Sequence, residues 1–201
     1  MEKIITSEST EVRDNIVAVG QRIMAGKGFS AVGLNEILTT AGVPKGSFYH
    51  YFASKDAFGV ALLEHYFTDY LADIDAILDE PNLTMAESLL RYFDSWRVNQ
   101  QFSDCQGKCL AVKLGAEVAD LSEPMRLALK QGTSGIVARL AGAIERGTAD
   151  GSLAVDDAPA LVAESLYQLW LGASVMAKIV RDASPFDAAM RTTQQVLHLS
   201  R

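Results

Sequence analysis

Apolar residues recur at helical spacing through the first quarter of the chain and predict a series of short helices. The first pattern starts at Glu11, behind Ser9 and Thr10 as candidate caps, and stops at residues 26–28. A second helix is predicted over 34–40, and a third from Pro44 to Phe52, because proline suits a first helical position. The glycine-containing turn 41–44 separates them. Helix, short turn, helix is the helix-turn-helix layout.

The rest of the chain also carries helical patterns. Ser54 can cap a long fourth helix, which keeps its apolar period until Pro81 ends it. Further helices are predicted over 84–101, 108–120, 124–147, 158–181 and 186–199, and no segment alternates as a strand. The predicted fold is all-α: an N-terminal three-helix helix-turn-helix domain in residues 1–54, joined by a long helix to a C-terminal helical domain in residues 55–201.

Composition places the chain among globular proteins, since 49% of its 201 residues are hydrophobic and 21% are charged. It has no run of eighteen apolar residues and no apolar stretch of signal-peptide length near Met1. We therefore expect a cytoplasmic protein with no membrane partner. His50, His65 and His198 are scattered, so no metal or other cofactor is predicted, and no catalytic motif indicates an enzyme.

The net charge of −7 argues at first against a nucleic-acid partner. Its distribution changes this interpretation. Residues 1–65 carry six Lys/Arg and seven Asp/Glu, whereas residues 66–201 carry 12 and 18. A nearly neutral N-terminal domain on an acidic body favours specific contacts with DNA over indiscriminate electrostatic adhesion.

The third predicted helix has the chemistry of a DNA-reading element. Phe48 and Phe52 are four residues apart and would anchor one face in the core. The outer faces would then present Lys45, Ser47, Tyr49 and His50. These side chains can bind phosphate oxygens, and lysine also suits guanine O6 and N7. The alternative is an ordinary surface helix whose aromatic residues stabilise the core.

The surrounding residues favour the DNA-reading interpretation. The stretches Gly28-Phe29, Leu34–Leu38, Ala41–Phe52 and Ser54–Phe58 closely resemble the N-terminal domain of the TetR family of bacterial repressors. The resemblance implies a homodimer formed through the last two long helices, a larger domain that binds an effector, and double-stranded operator DNA as the partner. It also implies that Lys45, Gly46, Ser47, Tyr49 and His50 meet DNA and that Lys55 meets phosphate. Gly33 departs from the family pattern, in which Thr or Ser often caps the second helix and touches phosphate.

A second resemblance covers the regulatory half. The stretches 107–126 and 169–173, with Ala177 and Lys178, are similar to the NemR branch, whose members sense reactive electrophiles and oxidants. The resemblance implies that Cys109 is the sensing thiol and that Lys178 can lie close to it. Lys113 follows Cys109 by one helical turn, and a cation there favours the reactive thiolate. The alternatives are a buried, inert Cys109 and, for Cys105, either a resolving partner or a thiol without a role.

Two features of the C-terminal half stay open between function and packing. The pattern 161–177 is apolar over a wide arc, which predicts either a dimer seam or a central core helix. The candidate seam residues are Gly172, Ala173, Ala177, Phe186, Met190 and Leu197. An aromatic set can line an effector pocket or fill the core: Tyr92, Phe93, Trp96, Phe102 and Tyr167. Three functions follow: a thiol-gated repressor, a repressor released by a reversibly bound organic effector, and a helical interaction protein that does not bind DNA.

Overall fold

The computed structural model describes residues 2–100 and 110–199. Within these ranges the chain forms α-helices and no strand, which confirms the all-α prediction. The helices are α1 (Glu2–Lys27), α2 (Leu34–Ala41), a 3-10 turn (Lys45–Ser47), α3 (Phe48–Tyr51), α4 (Lys55–Leu78), α5 (Met85–Gln100), α6 (Leu110–Leu121), α7 (Glu123–Ala149), α8 (Pro159–Val180) and α9 (Ser184–Val196).

The chain divides into two compact units, which we call the first and the second unit. The first comprises residues 1–68 and 109–132, and the second comprises residues 69–108 and 133–201. The boundary predicted between residues 54 and 55 separates the helix-turn-helix from α4 along the sequence. The compact units instead divide within α4 and α7, and they group α6 with the helix-turn-helix.

The first helix starts earlier than its apolar pattern predicts. It begins at Glu2, so Ser9 and Thr10 lie inside α1 and the prediction that they cap it is wrong. The physical reason is the absence of a helix breaker: residues 1–19 contain neither glycine nor proline. The helix therefore extends toward the N-terminus through polar residues, beyond the point where the apolar pattern starts.

The third helix is shorter than predicted at both ends. Pro44 has an extended ψ of 141° and Phe52 is also extended, so neither is helical. The segment between them opens with a 3-10 turn, in which the Ser47 amide donates to the Pro44 carbonyl at 2.9 Å. A single α turn follows. We call residues Lys45–Tyr51 the reading segment.

Other helix ends agree with the sequence patterns. Gly42 ends α2 in the left-handed conformation with φ of 68°, as glycine allows without steric cost. The Ser54 hydroxyl accepts the Ala57 amide at 3.0 Å and so caps α4, which ends at Leu78 before Pro81. These contacts confirm the turn and the cap.

The second unit has an aromatic core in which buried indoles also form hydrogen bonds. Trp170 of α8 stacks on Phe93 of α5 and on Phe186 of α9, with ring centroids 4.9 and 6.0 Å apart. The Trp96 indole donates to the buried Ser174 hydroxyl at 3.0 Å. Paired polar groups of this kind impose one arrangement on the core.

The same core favours the core-helix alternative over the dimer seam for most of the candidate residues. Four of the candidate seam residues are buried inside the second unit: Ala173, Ala177, Phe186 and Leu197. They face their own chain because α9 packs against this side of α8. Gly172 is exposed and Met190 is half-buried. The large apolar residues left exposed along α8 are Leu161, Val175, Met176, Ile179 and Val180.

Candidate DNA interface and sensor region

The reading segment exposes the side chains that the sequence assigns to DNA contact. Lys45, Gly46, Tyr49 and His50 are exposed, and Ser47 is half-buried. Tyr49 has 66% of its surface accessible, although a large aromatic side chain is ordinarily covered. The structure therefore brings the five predicted residues together on one short exposed segment.

Buried aromatic rings hold this segment in place. Phe48 and Phe52 are 1% and 3% exposed, and each packs against Phe58 of α4 with ring centroids 5.8 and 5.1 Å apart. The Arg13 guanidinium of α1 lies 5.3 Å from the centre of the Phe52 ring, a cation–π distance. The predicted anchoring role of the two phenylalanines is confirmed.

The turn before the reading segment is fixed from α1. The Asn15 side-chain amide donates to the Ala41 carbonyl at 3.1 Å, which satisfies one of the free carbonyls at the end of α2. The Val43 amide donates to the Leu38 carbonyl at 2.9 Å and closes the turn around Gly42. Specific hydrogen bonds therefore hold the end of α2 and the turn that leads into the reading segment.

Lys55 lies at the start of α4 and is half-buried. Its ammonium donates to the Phe29 carbonyl at 3.0 Å and lies 4.7 Å from the centre of the Phe29 ring. An ammonium has three donors, so this contact leaves capacity for phosphate while it limits where the side chain can reach. Gly33 directly precedes α2 and, having no side chain, provides no side-chain cap for this helix.

A carboxylate of α6 binds the loop that follows α1. The Glu117 side chain accepts the Phe29 amide at 3.0 Å and the Ser30 amide at 2.7 Å. Partial burial raises the pKa of Glu117, but the hydrogen bonds from Ser30 and Phe29 and the positive charge of Lys113 together lower it. Glu117 is therefore ionised at neutral pH.

The predicted sensor residues are distributed over both units. Cys105 and Cys109 lie outside the described residues, and α6 begins at Leu110. Lys113 is half-buried on α6 in the first unit, and its charge acts on Glu117. Lys178 is exposed in the last turn of α8 in the second unit. The roles assigned to these four residues stay predictions.

The residues considered for an effector pocket fill the core of the second unit. Tyr92, Phe93, Trp96 and Tyr167 are 0–4% exposed. Trp96 contacts Tyr92 and Tyr167 edge to face, with ring centroids 6.0 and 5.7 Å apart. Phe102 lies outside the described residues. Of the two interpretations, effector pocket or core, the structure therefore favours the core for these four side chains.

Residues 2–100 and 110–199 contain no group of three His, Cys, Asp or Glu side chains that could hold a metal ion. None of the helices described is long and apolar enough to cross a membrane.

Sequence reasoning did not identify three residues that support the site: Arg13, Asn15 and Glu117. Asn15 binds a carbonyl 26 positions away, and Glu117 binds amides 87 and 88 positions away. No local spacing in the sequence indicates these contacts. A four-residue interval between Lys113 and Glu117 is visible in the sequence, but it predicts only a pair on one helix.

Comparisons with known proteins agree with this arrangement. A family model described as bacterial regulatory proteins, tetR family, matches residues 16–62, and one described as tetracyclin repressor-like, C-terminal domain, matches residues 86–193. The chain is 40% identical over 189 residues to the HTH-type transcriptional repressor NemR of Escherichia coli strain K12, covering 93% of this chain and 94% of that protein. It is 32% identical over 188 residues to the HTH-type transcriptional repressor DhaR of Mycobacterium sp. strain GP1, covering 94% and 93%. A crystal structure of E. coli NemR in its reduced form has a TM-score of 0.88 at 39% identity, covering 93% of this chain and 97% of that one.

Proposed function

Because the chain belongs to the TetR family of DNA-binding transcriptional regulators, we propose that it is a repressor which modification of Cys109 releases from a palindromic operator. The relatives are transcriptional regulators and not enzymes, so the proposal concerns how DNA binding is controlled. The observation that carries the DNA-binding part of the proposal is the exposed reading segment on its buried aromatic anchor.

The reading segment supplies the DNA contacts in this proposal. Lys45, Ser47, Tyr49 and His50 bind base edges or phosphates in the major groove, and Gly46 lets the backbone approach the duplex closely. Lys55 binds a phosphate beside the segment. The exposure of Lys45, Gly46, Tyr49 and His50 above the buried Phe48 and Phe52 supports the assignment of the segment.

TetR regulators act as dimers, and a palindromic operator requires two reading segments. In this chain the exposed apolar residues of α8 support a subunit contact along that helix. Val175, Met176 and Ile179 are 47%, 47% and 67% exposed, on a helix whose opposite side is fully covered by its own chain. Monomeric proteins rarely leave a contiguous apolar stripe of this kind in water.

The thiol of Cys109 is the sensor in this proposal. A thiolate adds to the β-carbon of a quinone or another unsaturated carbonyl compound, a sulfur–carbon bond forms, and the enolate that results takes a proton from water. Cys109 directly precedes α6 in the sequence, where the N-terminal end of a helix and Lys113 favour the thiolate. Lys178 contributes a second cation, and Cys105 is a candidate resolving thiol when an oxidant is the signal.

Operator release by a quinone tests this mechanism. The reduced full-length protein is titrated against DNA from the flank of its own gene, with fluorescence anisotropy as the readout, before and after exposure to the quinone. Mass spectrometry locates the adduct. We expect wild type to lose affinity, Cys109→Ser to bind and stay bound, and the matched control Cys105→Ser to behave as wild type.

Two results would contradict the proposal at different levels. Release of Cys109→Ser by the same quinone would replace the thiol mechanism by reversible effector binding. Lys45→Ala is expected to bind the operator more weakly, and an unchanged affinity of that variant would remove Lys45 from the DNA contacts.

A further inference from the structure

We propose that Glu117 is a positioning residue for DNA binding: from α6 it holds the loop after α1, and through that loop it places Lys55. The inference deepens the proposed function and rests on it in one respect: the signal that reaches α6 is the modification of Cys109. The contact itself lies within the first unit.

The contact is built from two directional hydrogen bonds. One carboxylate oxygen of Glu117 accepts the Phe29 amide at 3.0 Å, and the other accepts the Ser30 amide at 2.7 Å. Both donors are backbone groups, so the bonds fix the path of the loop and not merely one side chain. Hydrogen bonds to an ionised acceptor are about twice as strong as neutral ones.

Gly28 makes this geometry possible. Its φ of 91° is a conformation that L side chains rarely adopt, and a Cβ there would lie 3.0 Å from a Glu117 oxygen. Its own amide still closes the last turn of α1 on the Met24 carbonyl at 2.9 Å. Successive amides after such a residue point into a concavity that binds an anion, and here the anion is the Glu117 carboxylate.

The loop transmits this placement to a predicted DNA contact. The Phe29 amide is held by Glu117, while the Phe29 carbonyl accepts the Lys55 ammonium at 3.0 Å and its ring lies 4.7 Å from that ammonium. A shift of the loop therefore shifts Lys55. The chain of contacts runs from a carboxylate of α6 to the lysine that is expected to bind phosphate.

The place of Glu117 on α6 relates it to the sensor. The helix begins at Leu110, directly after Cys109 in the sequence. Lys113 lies four residues after Cys109, and Glu117 lies four residues after Lys113. An α-helix rises about 1.5 Å per residue, so the start of α6 and Glu117 are about 10 Å apart along one rigid element. A displacement at the start of α6 moves the carboxylate against its two amides.

Three variants of the full-length dimer test the inference. Glu117→Ala removes both acceptors, and Glu117→Gln keeps one and loses the charge. Asp120→Ala is the matched control, because it removes a carboxylate from an exposed position of the same helix. Hydrogen exchange of residues 28–33 reports the two amide bonds directly, and operator titration before and after quinone treatment reports the coupling.

We expect Glu117→Ala to exchange the amides of this loop about tenfold faster than wild type. We also expect its operator affinity to fall, and the ratio of dissociation constants with and without quinone to shrink about fivefold or more, the range of ordinary allosteric couplings. Glu117→Gln should be intermediate, and Asp120→Ala should match wild type in all three measurements.

A Glu117→Ala protein that is less stable, yet keeps the wild-type operator affinity and release ratio, would overturn the inference, since a merely structural contact gives that result. If Glu117→Ala does not fold, Glu117→Gln decides by the same readouts. If wild type is not released by quinone, the thiol proposal fails by itself. Loop exchange and operator affinity of the reduced variants then decide the role of Glu117.

Discussion

Replacing Gly132 by alanine should destabilise the protein although alanine is the better helix former. Gly132 lies in α7 within the first unit and is buried. A Cβ at this position would lie 2.1 Å from Cγ and 2.2 Å from Cδ2 of the Phe67 ring. Phe67 of α4 is 4% exposed, so its ring has little room to withdraw.

The expected magnitude follows from two opposing effects. Alanine gains about 0.8–1 kcal/mol over glycine in a helix interior. Inserting a methyl group into a packed core costs about 1–3 kcal/mol. We expect about 2–3 kcal/mol here, because the atoms that the new methyl group meets belong to the Phe67 ring, which cannot rotate away as a flexible chain end would. We expect a net loss of about 1–2 kcal/mol, equivalent to a fall in Tm of about 2–8 °C for a chain of this size.

Gly142 offers a matched control in the same helix, because a Cβ built there has no atom within 4 Å other than those of its chain neighbours and the adjoining helix backbone. Gly142→Ala should therefore raise Tm slightly. Thermal unfolding is followed by circular dichroism at one protein concentration, since the stability of a dimer depends on concentration. Equal stabilisation by the two alanines would refute the steric argument, and Phe67→Leu should restore part of the loss in Gly132→Ala.

Three further predictions concern the DNA contact, the aromatic core and the loop contact. Lys45→Ala should weaken operator binding and reduce the slope of log affinity against log salt by about 1 if the lysine binds phosphate, which a salt titration measures. Ser174→Ala leaves the buried Trp96 indole without its acceptor and should cost about 1–3 kcal/mol in urea unfolding. Because folding lowers the pKa of Glu117, its contribution is complete above the ordinary glutamate pKa of about 4.3 and is lost as pH falls through the folded value. The stability difference between wild type and Glu117→Ala should therefore be largest near pH 7 and shrink below about pH 4, as urea unfolding at several pH values would show.

Local patterns in the sequence were sufficient for the elements that local chemistry determines. Gly42 ends α2, Ser54 caps α4 and the aromatic pair Phe48 and Phe52 is buried, as predicted. Each of these depends on a residue's own conformational preference or on neighbours within a few positions. The exposure of Lys45 and His50 follows from the same pair, because anchoring one face turns the others outward.

The errors occurred where distant partners or missing breakers decide the structure. The early start of α1 at Glu2 reflects an N-terminal stretch that no residue interrupts. The choice between a subunit seam and the core stays open for Phe186 in the sequence, because an apolar pattern shows that a side chain is covered but not by which chain; in the structure it stacks on Trp170. Glu117 was missed because the amides it binds are 87 and 88 positions away.

The shortness of the reading segment determines where control of DNA binding can act. A 3-10 turn followed by one α turn is far below the roughly 12–15 residues that an isolated helix needs, so the segment takes its conformation from its supports. The apolar supports, Phe48, Phe52 and Phe58, are non-directional and tolerate small displacements. The two amide bonds to Glu117 are directional, and a hydrogen bond weakens steeply once its angle and distance change. A small movement of α6 can therefore alter the loop after α1 and the placement of Lys55 beside the segment, while the aromatic anchor keeps the domain folded. A regulator built in this way can leave its operator without unfolding the domain that reads it.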